Sequence, residues 1–209
     1  MIIKICGIKN KDNLICCEKN NVDFFGMIFY PKSPRNISIE NASILQNISE
    51  DLKINGVGVF VNKNINELAE IIKNLKLRFV QLHGSEDDTY IKNLKEIGVK
   101  IIKSISISRS DDLNKMAKYS CADYYLFDYK AHKDELPGGN AKSFDWNILK
   151  NIKIDKPWFL SGGINTNNIQ QIIYDINPFG VDLSSGVEKE LGIKDNRIIN
   201  NFIRKLKNA

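Results

Sequence analysis

A cysteine and an aspartate sit where two predicted strands end. Met1-Ile2-Ile3-Lys4-Ile5 runs into Cys6-Gly7, and Tyr124-Tyr125-Leu126-Phe127 runs into Asp128. An isolated cysteine is ordinarily a small buried hydrophobe, but its thiolate is a base. Strand alternation puts Lys4 and Cys6 on one face and Ile3 and Ile5 on the other. Lys4 is then either a cation able to lower the thiol's pKa or one half of an internal ion pair. Asp128 follows apolar residues, which raise a carboxyl's pKa and suit it to give up a proton; otherwise it caps the loop that follows. The pair predicts a base and an acid converging on one pocket.

Further polar residues lie at comparable positions. Arg35, in Ser33-Pro34-Arg35, rides a loop stiffened by proline, and its planar fork suits a carboxylate. His83, in Gln81-Leu82-His83-Gly84, can polarise a substrate, orient a neighbour or make a structural hydrogen bond. Asp182, flanked by Val181 and Leu183, is expected to find its partner inside the fold. Ser161-Gly162-Gly163 and Ser184-Ser185-Gly186 end two late strands in small polar loops. Glycine lets backbone approach an anion, and a helix N-terminus, expected here from Asn165 and Thr166, presents free N–H groups. Gly162, Gly163, Ser184, Ser185 and Gly186 are therefore assigned to a phosphate.

The elements that must hold these residues alternate strand and helix about every 25 residues. Strands are expected at the N-terminus and at Asp23–Phe29, Gly56–Val61, Arg78–Leu82, Val99–Ile107, Ala122–Phe127, Pro157–Leu160 and Gly180–Leu183. Asn10, Ser38, Asn64 with Glu67, Ser85 with Asp88, and Asp195 read as helix starts. Leu68, Ile71, Ile72 and Leu75 form one apolar helical face. Asp111 and Asp112 open a short helix, and Pro137-Gly138-Gly139 precedes another containing Trp146. Eight such units imply an α/β fold with a closed parallel sheet, the (βα)8 barrel, as a single domain over residues 1–209. The other arrangement is an open doubly wound sheet, but no GxGxxG follows the first strand. In a barrel, chemistry belongs at the C-terminal strand ends, and paired loops after strands seven and eight form a recurrent phosphate site.

Composition narrows the class. The chain has 209 residues, 43% hydrophobic, with Lys+Arg 30 against Asp+Glu 25. The charges are interleaved, which argues against nucleic-acid binding, and no apolar run approaches the roughly 18 residues of a membrane span. The apolar start is too short for a signal peptide and contains Lys4. Cys6, Cys16, Cys17 and Cys121 show no metal-ligand spacing, so free thiols in the cytoplasm are expected, with no metal.

These segments together resemble the phosphoribosylanthranilate isomerase family. The resemblance rests on Lys4-Ile5-Cys6-Gly7-Ile8, Ser33-Pro34-Arg35, Gly58-Val59-Phe60-Val61-Asn62, Gln81-Leu82-His83-Gly84 and Leu126-Phe127-Asp128. Phe144-Asp145-Trp146, Ser161-Gly162-Gly163-Ile164 and Asp182-Leu183-Ser184-Ser185-Gly186-Val187-Glu188 continue it to the end of the chain. It implies an Amadori rearrangement of N-(5-phosphoribosyl)anthranilate in tryptophan biosynthesis, without a cofactor, by a monomer or homodimer. By the same resemblance Asp128 protonates the ribose ring oxygen, Cys6 removes the C2 proton and Arg35 anchors the anthranilate carboxylate; His83 and Asp182, from their positions, are assigned to substrate binding. One departure stands out. The family's loop after strand six reads close to Gly-Gly-Thr-Gly, whereas this chain has Gly138-Gly139-Asn140-Ala141. The competing readings are another sugar-phosphate isomerase or epimerase, or a non-catalytic phosphate-binding barrel. With only His83 and His132, the chain offers no histidine-rich metal cluster for an epimerase.

Overall fold

Local hydrogen-bonding chemistry starts most of the helices. In the computed structural model, Asn10 accepts from the Asn13 amide and opens α1 (Lys11–Lys19), and Ser38 accepts from Asn41 and opens α2 (Ile39–Leu52). Asn64 and Asp195 do the same for α3 (Ile65–Leu75) and α6 (Asn196–Lys207). α4 (Asp88–Lys95) departs from expectation, because its cap is Asp87 rather than Ser85. The Ser85 amide and hydroxyl are both spent on Asn62 Oδ1, at 2.7 and 3.0 Å. The structure describes residues 1–132, 134–135, 138–150 and 152–208.

Eight parallel strands close into a barrel in chain order. They are β1 (Ile2–Cys6), β2 (Phe24–Ile28), β3 (Asn55–Phe60), β4 (Phe79–Leu82), β5 (Lys100–Ile107), β6 (Tyr124–Tyr129), β7 (Trp158–Leu160) and β8 (Gly180–Leu183). β8 returns to β1 with Lys4 opposite Asp182, and this pairing closes the sheet. The open-sheet alternative is thereby excluded. Apolar residues on the outer face pack under the helices, while Cys6, Phe24, Val57, Val59, Ile102, Leu126 and Phe159 form a second cluster within the barrel.

The helical layer is less regular than the sequence pattern implied. After β5 and β6 the crossovers carry 3-10 turns, Ser110–Tyr119 and Trp146–Leu149. The helix after β7, α5 (Ile169–Asp175), begins four residues beyond Asn165. Asn165 and Asn168 both donate to the Gly163 carbonyl at 2.9 Å, and Asn165 accepts from Asn167. Asparagine side chains thus hold this stretch in turns that compete with helix. After β8 a small hairpin, β9 (Glu188–Glu190) with β10 (Ile193–Lys194), precedes α6.

Candidate active site

Cys6 and Asp128 lie in one cavity at the C-terminal end of the barrel. Its lining includes Arg35, Gln81, His83, Gly138, Gly139 and Asp182. Cys6 ends β1 as expected. Asp128 does not end its strand: β5–β6 pairing continues through Ser106–Asp128 to Ile107–Tyr129. The carboxylate consequently projects inward from a strand clamped on both sides of it. It accepts from the Tyr129 amide at 2.8 Å, and its Oδ2 is 3.4 Å from His83 Nε2.

Two close approaches shape the reacting pair. Gly26 stands beside Cys6 in the β1–β2 register. A methyl group there would lie 2.7 Å from Cys6 Sγ and 3.0 Å from its Cα, so glycine makes room for the thiol. Gly138 covers the opposite side, where a Cβ would lie 2.7 Å from His83 Nε2 and 3.0 Å from Asp128 Oδ2. The loop therefore reaches the acid only by having no side chain there. Pro137 of the expected Gly-rich turn lies outside the described residues.

Lys4 is an internal ion-pair partner. Its Nζ is 2.9 Å from Asp182 Oδ1, with both side chains buried. This is the inside partner expected for Asp182. Burial pulls the lysine down, but Asp182 and Cys6 facing it more than offset that, so its pKa is raised. Lys4 lowers the thiol, as the sequence allowed, but not enough to outweigh burial. Burial pushes Cys6 above the ordinary thiol value despite Lys4, and nearby Asp182 pushes it further. Burial penalises the thiolate more than Lys4 and Lys194 together repay. In the substrate-free protein Cys6 is thus held as the thiol at neutral pH.

Arg35 is buried rather than solvated. Its Nε and Nη2 grip Glu188 Oε1 and Oε2 at 2.7 and 2.8 Å, and Nη2 also donates to the Gly139 carbonyl at 3.2 Å. The fork expected to face a carboxylate ligand is turned to an internal one, leaving Nη1 beside Gly139. Lys194 completes the cluster, 2.6 Å from Glu188 Oε1. Two cations against one carboxylate leave a single excess positive charge. Burial would raise the Glu188 carboxyl, but Arg35 and Lys194 hold it down at about 2. Lys194 has no signal in the sequence, and Glu188 shows only as the end of the last family-like segment; a charged pair buried across a short hairpin has no periodic signature.

His83 is fixed from several directions. Its Nδ1 is 2.8 Å from Gln81 Nε2, and its Nε2 is 3.5 Å from Ser104 Oγ. The loop beyond it is anchored by the buried Glu86–Lys103 pair at 3.0 Å. Glu86 accepts from the Asn62 and Gly84 amides, and Lys103 donates to the Gly84 carbonyl.

An adjoining depression is lined by Gly162, Gly163, Ser184 and Ser185, with Gly138–Lys142 as its other wall. Gly162 and Gly163 have φ of +85° and +70°. Among the described residues, the amides of Gly162, Gly163 and Ile164 donate to no acceptor of the protein. Consecutive free amides form an anion cradle. The Ser184 hydroxyl is committed, donating to the Cys6 carbonyl at 3.1 Å and accepting from Lys194. Gly186 does not line the depression. A Cβ there would lie 1.9 Å from the Ile164 carbonyl, so this glycine lets the two loops touch.

Known proteins are similar to this chain in sequence and share its barrel. The profile of the N-(5'phosphoribosyl)anthranilate (PRA) isomerase family matches residues 3–205. N-(5'-phosphoribosyl)anthranilate isomerase of Brucella canis is 39% identical over 210 residues, covering 99% of this chain and 94% of that protein. The crystal structure of phosphoribosyl anthranilate isomerase from Thermotoga maritima superimposes with a TM-score of 0.89 at 32% identity, covering 100% of both chains. A phosphoribosyl anthranilate isomerase in complex with reduced 1-(o-carboxyphenylamino)-1-deoxyribulose 5-phosphate gives a TM-score of 0.84 at 31% identity, again covering 100% of both. A sequence match along nearly the whole chain, on the same closed barrel, leaves one assignment: the chain belongs to the N-(5'-phosphoribosyl)anthranilate isomerase family.

Proposed function

We propose that this chain converts N-(5-phosphoribosyl)anthranilate to 1-(2-carboxyphenylamino)-1-deoxyribulose 5-phosphate, a step of tryptophan biosynthesis, with Asp128 as acid and Cys6 as base. The observation that carries this reading is the shared cavity: a carboxyl and a thiol on different strands, beside an anion cradle. Asp128 gives its proton to the ribose ring oxygen. The C1–O bond breaks toward that oxygen while the anthranilate nitrogen supplies the electrons of a C=N bond. The resulting Schiff base carries a positive nitrogen. A cation forming in the cavity favours ionisation of the buried Cys6, and the thiolate takes the C2 proton. The C2–H electrons form the C1=C2 bond, the nitrogen regains its pair, and the enol relaxes to the ketone by losing its hydroxyl proton and gaining one at C1.

The phosphate rests on the Gly162–Gly163 amides and on backbone at Ser184 and Ser185. The anthranilate carboxylate meets the Arg35 cluster, whose single excess charge matches one anion. His83 and Asp182 border the same cavity and reach the ribose hydroxyls. The scheme uses no metal, organic cofactor or nucleic acid. Every residue in it comes from one chain, so a monomer or a homodimer serves equally. The fold is one catalytic domain. A cytoplasmic setting keeps thiols reduced, in keeping with four free cysteines, and no helix among the described residues is long and apolar enough to cross a membrane.

An aspartate-pair isomerase would need a second unengaged carboxyl, and Asp182 is bound to Lys4. The test is a fluorescence assay following loss of phosphoribosylanthranilate, with Cys6→Ser and Asp128→Asn as controls. Turnover by the wild type and at least ~10²-fold loss in each folded variant are expected. Turnover within a few-fold of wild type in either variant removes that residue from the scheme.

A further inference from the structure

Gln81 lies on β4, inward-facing and buried at 1% exposure, between the hydrophobic floor of the barrel and His83. Its two amide atoms have different surroundings. Nε2 is 2.8 Å from His83 Nδ1. Among the described residues Oε1 has no hydrogen-bond partner, though it is buried on a residue that lines the active-site cavity. An unpaired buried acceptor is costly in a stable fold and is expected to find a donor when the site fills.

The His83 proton can be assigned from its neighbours. A side-chain NH2 group only donates hydrogen bonds, and a neutral imidazole carries one N–H. With Gln81 Nε2 at 2.8 Å from Nδ1, the His83 proton sits on Nε2, which faces Asp128 Oδ2 at 3.4 Å. Nδ1 is then an acceptor, and the amide beside it must present its NH2 group. This orientation turns Oε1 away from the imidazole. The ring contact and the orphaned oxygen therefore have one explanation.

We propose that Gln81 is a positioning residue for the acid, holding His83 as the Nε2–H tautomer so that the imidazole donates to Asp128, while Gln81 Oε1 accepts from a hydroxyl or amine N–H of the bound sugar phosphate. When Asp128 releases its proton to the ring oxygen, a donor already aimed at the new carboxylate stabilises it without reorganisation. The inference rests on the isomerase reading for its catalytic part, but the tautomer is a property of the substrate-free protein.

That separation gives the experiment. The chain has only two histidines, so 15N spectra of the imidazoles are assigned by comparison with His132→Gln. Wild type is expected to show the Nε2–H tautomer at His83. Gln81→Met, close in volume but with no donor, is expected to lose that preference. Gln81→Glu offers only an acceptor to Nδ1 and is expected to bring a proton there. In folded protein, checked by thermal melts, Gln81→Met is expected to lower kcat roughly 10- to 100-fold, the range for one hydrogen bond to a charged group. It should also weaken binding of a reduced product analogue. An Nδ1–H tautomer in wild type overturns the proposal, as does Gln81→Met with wild-type spectra and kcat. Failure of the spectra leaves the isomerase reading intact, whereas absence of turnover in wild type strikes that reading first.

Discussion

Gly26→Ala tests the placement of the base without changing its chemistry. The added methyl would stand 2.7 Å from Cys6 Sγ, 3.3 Å from its Cβ and 3.0 Å from its Cα. Carbon contacts relax at about 3.5–4.0 Å. Rotating the thiol away cures the first contact only, because the Cα is backbone. The β1–β2 pair must therefore spread by several tenths of an ångström and carry Sγ about 1 Å from its position. A reacting atom displaced by about 1 Å costs about 10²-fold in rate. The overpacking should cost about 1–3 kcal/mol of stability, or several degrees in Tm. The Arg35 cluster and the phosphate loops lie on other elements, so affinity for a reduced product analogue should stay within a few-fold. The assay is steady-state kcat by fluorescence, with analogue titration and thermal melts alongside. A lowered Tm with kcat near wild type would refute the reasoning, since the barrel would then absorb the methyl without moving the thiol.

Three other perturbations address the electrostatics and the loop. Alkylation of Cys6 by iodoacetamide, read by peptide mass, should have its pH midpoint above the ordinary thiol value of 9.0, and Lys4→Met should push it higher by removing the opposing cation. A midpoint below 9.0 would mean that Lys4 outweighs burial. Glu188, held near 2 against its ordinary 4.5, contributes stability that is fully present above pH 4.5 and lost as pH falls toward about 2. Glu188→Gln should therefore flatten the acid side of the stability curve in that window, measured by urea unfolding, and an unchanged slope would count against the Arg35–Glu188–Lys194 cluster. Ala141 sits at φ +57° in the loop where the family resemblance breaks. Left-handed backbone costs a non-glycine residue about 1–2 kcal/mol, and glycine returns about 0.5–1 through unfolded-chain freedom. Ala141→Gly should thus be neutral or stabilising by up to about 1.5 kcal/mol, and a clear destabilisation would show that the alanine is not strained there.

Much of the fold was legible because its signals are local. Asn10, Ser38, Asn64 and Asp195 cap their helices through side chains two or three residues from the amides they satisfy. The Leu68, Ile72 and Leu75 stripe is buried because helical period alone places it on one face. The misread starts were decided by competing hydrogen-bond partners, one from another loop and one two residues back. Ser85 lost its capping role to Asn62 from another loop, and Asn165 was drawn to the Gly163 carbonyl.

The sequence by itself determined the alternation of strands and helices, and which strands lead to the thiol, the carboxyl and the glycine loops. Periodicity and residue type reach that far because they act within a few residues. The tertiary structure alone decided what those groups face. Lys4 meets Asp182 across 178 positions, and Arg35 meets Glu188 across 153. Burial then raised the Cys6 pKa by more than its neighbour Lys4 lowers it. Desolvation depends on everything that packs around a group, and no window of sequence contains that sum.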